Sequence, residues 1–169
     1  MKKYLFAVLI ALLLIPSVAM GAVTPGVCTQ TPYSWVGGFV YIVLTCTGAS
    51  DNGSIPNTDI SAANMELIKG THYLYTVSAY PTSGGTPPDV ADVFILDANG
   101  EDLLGSADGG TTPGKGANLI HATLKKTAMP YSYHMSQVYP PPVINTLTLK
   151  VLNQATVSAN YTIELLFVR

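Results

Sequence analysis

The chain has 169 residues, only 11% of them charged, and a formal net charge of −2. That balance argues against nucleic acid as a partner and against electrostatic attraction to anionic lipid. The length fits one domain able to bury its own core. With so few charges against the usual quarter, solubility rests on Thr, Ser, Asn and Gly, a profile closer to extracellular β-domains and assembled surfaces than to cytosolic enzymes.

The chain opens on Lys2 and Lys3, followed by an apolar run from Leu5 to Ile15 that Pro16 and Ser17 break. Ala19 and Gly21 are the small residues a signal peptidase reads before a cut at Ala22. The run is short for a membrane span of about 20 residues. Residues 1–21 are therefore expected to be a removed signal peptide, and residues 22–169 a single exported domain in the periplasm, at the cell surface or outside the cell. A membrane is met only through an uncleaved leader. Loss of Lys2 and Lys3 takes the formal charge from −2 to −4. In an oxidising compartment the two cysteines, Cys28 and Cys46, are expected to form a disulfide. It would tie the N-terminal arm to the first strand. Two cysteines alone do not make a four-ligand zinc site.

Phe39 to Thr47 (FVYIVLTCT) is β-branched and aromatic between Gly37-Gly38 and Gly48, which predicts a central strand apolar on both faces. Residues 48–58 read as a loop. Residues 59–69 fit two patterns. Ile60, Ala63, Leu67 and Ile68 make a helical stripe with Asp59 as cap and Gly70 as stop, whereas Met65 and Leu67 alternating about Glu66 fit a short strand. The β-rich surroundings favour the strand. His72 to Tyr80 predicts a strand with Tyr73, Tyr75, Val77 and Ala79 on one face. After a Gly/Pro loop, Val90 to Leu96 is a strand, Asn99-Gly100 a hairpin turn, and Glu101 to Leu104 the returning strand. Residues 105–116 carry five glycines and read as a loop; Ala117 to Lys125 alternates. Residues 126–142 form a long loop rich in Tyr, Met and Pro. Val143 to Leu152 and Val157 to Val168 close the domain, the last with Tyr161, Ile163, Leu165 and Phe167 on one face. Seven or eight strands joined by turns define an all-β, antiparallel sandwich or barrel.

No chemistry-bearing motif emerges. His72, His121 and His134 have no His or Cys at ligand spacing, and Asp97, Asn99, Glu101 and Asp102 do not follow the EF-hand order. A Gly-x-Ser-x-Gly elbow and a phosphate-binding loop are both missing from the sequence. No catalytic, cofactor or metal residues are expected. The aromatic loop is the candidate contact surface: Tyr131, Tyr133 and Tyr139 with Met129 and Met135, residue types favoured at interfaces. Such a loop suits a glycan platform or a subunit contact equally, and it equally suits a loop folded back over the sandwich edge.

The strand YLYTVSAYP, the loop TSGGTPPD, the hairpin within Asp92 to Gly105 and the ending around Pro142 to Leu149 together resemble small structural proteins encoded by tailed bacteriophages and prophages. The resemblance covers about residues 60–169; Asn145 stands where those proteins tend to carry Gly. It implies a non-enzymatic, virion-associated role with a protein partner or self-association, and brings no catalytic residues. The alternative is a secreted adhesion or carbohydrate-binding module using residues 129–139.

Overall fold

The computed structural model describes residues 22–35, 37–104, 116–130, 132–134 and 137–169; for 34, 35, 132–134 and 137–139 it describes the backbone alone. Ala19 and Gly21 of the cleavage pattern, and Tyr131 of the aromatic loop, lie outside those residues.

Among the described residues, eleven strands and one short helix run in the order β1 (Val27–Trp35), β2 (Phe39–Thr47), β3 (Thr58–Asp59), α1 (Ala62–Ile68), β4 (Tyr73–Pro81), β5 (Ala91–Leu96), β6 (Ala117–Ile120), β7 (Lys126–Ala128), β8 (Ser132–His134), β9 (Gln137–Tyr139), β10 (Thr148–Leu152) and β11 (Asn160–Val168). A five-stranded sheet has the order β1-β2-β11-β4-β7, and a four-stranded sheet the order β3-β10-β5-β6; β8 and β9 form a separate ribbon. All strand pairings are antiparallel. The all-β sandwich expected from the sequence is the fold of this chain.

One core fills the space between the sheets. The large sheet contributes Ile42, Leu44, Val77, Ile163, Leu165 and Phe167, and the small one Val93, Ile95, Leu149 and Val151. Their two-residue spacing turns every second side chain inward. In β11 the predicted inward set of Tyr161, Ile163, Leu165 and Phe167 is fully buried. β2 is central, as expected, but only Val40, Ile42, Leu44 and Cys46 are buried; Phe39, Val43 and Thr45 face outward.

Several expectations change. Residues 27–35 pair with β2 along their whole length, so the supposed arm is itself strand β1. Pro32 hid it. Cys28 and Cys46 are direct partners with Cα atoms 4.1 Å apart, the spacing of a non-hydrogen-bonded pair. Pro32, four residues on, falls in the same class and points its N away from β2. That is the position a sheet edge tolerates.

Residues 62–68 are helical rather than extended. Ser61, not Asp59, caps the helix, its Oγ accepting from Asn64 N at 3.3 Å, and Met65 and Ile68 are buried. Burial of those side chains in the shared core outweighs the β-rich context. Asp59 instead lies in β3.

Glu101 to Leu104 makes a single bridge, Leu96 to Asp102, instead of a strand. Asp97 Oδ1 accepts from Asn99 N and Glu101 N, and Gly100 takes φ +81°. The turn therefore closes with glycine alone in the left-handed region, the three-residue form with a bulge. The strands predicted from Ala117 and Val143 are shorter, at β6 and β10.

In β4 the predicted face is broken. The pairing with β11 slips between Leu166 and Phe167, leaving Tyr75 as an extra residue. A bulge of this kind reverses the in-out alternation beyond it. Leu74, Val77 and Ala79 thus all point inward, while Tyr73 and Tyr75 point out.

Candidate functional site

The two sheets differ in how their outer faces are covered. On the small sheet Phe94 projects outward yet is only 4% exposed. The Lys150 ammonium lies 5.4 Å from its ring centroid. Gly116, at φ +64°, passes so close that an added Cβ would sit 2.7 Å from the ring.

The large sheet carries a different surface. Its register places Tyr33, Tyr41, Leu166 and Thr76 in one transverse row, and Trp35, Phe39, Val168 and Tyr73 in the next, with the bulged Tyr75 beside them. Tyr33 is 52% exposed, Phe39 44%, Tyr73 45% and Tyr75 40%. These four rings stay outside the buried core. The opposite end of the same face is threonine-rich: Thr29, Thr45 and Thr162 share a row with Tyr80.

Charge on this face is confined and neutralised. Glu164 receives a hydrogen bond from Lys125 Nζ at 2.6 Å on one carboxylate oxygen and from the Tyr80 hydroxyl at 2.8 Å on the other. The Lys125 ammonium also lies 4.8 Å from the Tyr80 ring centroid. Burial and the Glu164 carboxylate raise the Tyr80 phenol above its ordinary value.

The residues singled out from the sequence are scattered. The Cys28–Cys46 bridge forms on the inner face of β1 and β2. Tyr133 and Tyr139 lie in the β8–β9 ribbon, at adjacent register positions opposite Val138 and Ser132. Met129 is 60% exposed just before it. His72 is buried, its Nδ1 2.8 Å from Thr71 Oγ1, and burial and Arg169 lower its pKa. His121 Nδ1 accepts from Thr123 N. Among the described residues no three His, Cys, Asp or Glu side chains come together as metal ligands. The exposed aromatic rows escaped sequence reasoning because they combine four strands; Tyr33 and Phe39 flanking a Gly-Gly turn were the nearest local signal.

Asp102 gives a testable electrostatic consequence. Its Oδ1 accepts from Ile95 N and Leu104 N, whereas Oδ2 is buried without a protein partner among the described residues. Burial raises its pKa, opposed by the hydrogen bonds from Leu104 and Ile95. The folded state therefore binds this proton more tightly than the unfolded chain. Stability falls as pH rises from the ordinary carboxylate range through the raised value. Urea midpoints against pH should show that decline in the wild type and a shallower one in Asp102→Asn. Parallel curves would refute the assignment.

No family model, curated protein or solved structure matches this chain.

Proposed function

We propose that this protein is a non-enzymatic, exported structural module that associates through the outer face of its five-stranded sheet. One observation carries the reading: Tyr33, Phe39, Tyr73 and Tyr75 are exposed together on one sheet face, whose Glu164 carboxylate is matched by Lys125. A contiguous apolar patch on a small domain marks a contact surface, and tyrosine is favoured there for its rigid, amphipathic ring. The disulfide supports export, because such bonds persist in oxidising compartments. The leader pattern at residues 2–22 supports the same route. Among the described residues no helix is long and apolar enough to cross a membrane. The resemblance of residues 60–169 to phage-encoded structural proteins is consistent with a place in a particle or envelope.

Size fractionation of the producing cells and their medium tests this. The wild type is expected in fractions heavier than a single 17.8 kDa chain, and the Tyr73→Ser/Tyr75→Ser variant in the fractions of a free chain. A wild type that runs free and light, or a variant that stays with the heavy fraction, overturns the proposal.

A further inference from the structure

We infer that the occupant of the aromatic face is a second copy of this chain, packed sheet against sheet about a two-fold axis. The inference rests on the contact reading above and adds the identity of the partner.

Charge is the first argument. The whole chain is acidic, at −2, and becomes more so without Lys2 and Lys3. Two copies meeting through most of their surface would repel. On this face the carboxylate of Glu164 is matched by Lys125 at 2.6 Å. Two identical faces can therefore approach without like-charge repulsion. A two-fold contact demands this self-compatibility, because the same patch serves both partners. A strongly basic or acidic partner would find no unmatched charge among the aromatic rows.

Area is the second argument. β1, β2, β4 and β11 are each nine residues long, so the face runs about 30 Å along the strands and about 19 Å across five of them. That is roughly 570 Å² in plan. Side-chain relief enlarges it towards the ~800 Å² per partner typical of a specific interface. Two such sheets stack about 10 Å apart, as in the inner layers of any sandwich.

The third argument removes the competing geometry. Antiparallel sheets commonly associate edge to edge. β1, the long edge, carries Pro32 with its N turned outward, so a neighbouring strand loses a hydrogen bond at its middle. The other edge of the sheet, β7, is only three residues long. Edge pairing is disfavoured on both sides, and the exposed rings remain the surface that benefits from burial.

Sedimentation equilibrium of the oxidised exported protein, from micromolar to millimolar, decides the matter. The wild type is expected to show a reversible monomer–dimer equilibrium. Tyr73→Ser/Tyr75→Ser should weaken it by roughly a hundredfold, about tenfold for each ring. Phe39→Lys, on a different strand, should abolish it through two facing charges. Val90→Ser/Leu152→Ser, equally exposed but away from this face, should leave it within about twofold. Thermal unfolding of each variant confirms that it is folded. A wild type that stays monomeric to millimolar overturns the second-copy inference. If that same protein sediments with a heavy cellular fraction and the tyrosine variant does not, the contact reading survives with a different protein as partner. A dimer indifferent to both face variants overturns the choice of surface.

Discussion

Breaking the Cys28–Cys46 bridge is expected to lower the unfolding free energy by about 3 kcal/mol, the loop-entropy value for a closure of this length. The cysteines are 18 residues apart and directly opposed in the β1–β2 ladder. The bond therefore does two things: it shortens the unfolded chain's reach, and it fastens an edge strand. Among the described residues β1 has a strand neighbour only in β2, so it should be the first strand to detach once the bond is gone. Urea unfolding of oxidised and reduced protein measures the total loss. Hydrogen exchange localises it: the amides of Thr29 and Thr31, which point towards β2, should exchange faster while those of β11 change little. A Cys28→Ala/Cys46→Ala variant should reproduce the reduced protein. A loss below about 1 kcal/mol, or protection of β1 unchanged on reduction, would show that β1 is held by other contacts.

Gln30→Ala is expected to cost about 2–3 kcal/mol, an unusually large effect for one polar side chain at a sheet edge. Gln30 Nε2 donates to Asp59 O at 2.7 Å, and Gln30 Oε1 accepts from Ser61 N and from Asn64 Nδ2, both at 3.0 Å. This single amide ties β1 to β3, to the helix cap and to the helix interior. Asn64 is buried, at 4% exposure. Truncation leaves its amide group without that acceptor, and a buried unpaired donor costs about 1–3 kcal/mol by itself. Gln30→Glu separates the parts. It retains an acceptor for Ser61 and Asn64 but faces the Asp59 carbonyl with an oxygen, so its loss should be intermediate at neutral pH. Chemical denaturation of the three proteins gives the ranking; an alanine variant as stable as the wild type would remove Gln30 from this role. Because Gln30 and Cys28 fasten the same strand, their effects should not add.

Much of the sandwich could be read locally. The β-branched run at Phe39–Thr47, the alternation at Asn160–Val168 and the apolar stretch at Ala91–Leu96 are each strands in their own right, because inward residues recur every second position whatever the partner. The paired cysteines and the turn at 97–100 were legible for the same local reason. The 59–69 segment carried both patterns, and neighbourhood was a poor guide to it. The deciding fact was non-local: a core that takes up Met65 and Ile68, and a glutamine 34 residues from Asn64 to hold the helix there.

The candidate surface lay further out of reach. β1 carries a proline, Pro32, and its place at the edge beside β2 reconciles that residue with a strand. The bulge at Tyr75 depends on register with β11, about ninety residues away, and without it Tyr73 and Tyr75 share a predicted face with Val77 and Ala79. Composition and spacing thus defined an antiparallel β-domain with one disulfide. Which side of each strand meets the core, and hence which aromatic rings are left outside, followed from pairing between distant segments. Strand periodicity is a property of the local backbone, whereas a face acquires its inside and outside only when another layer covers it.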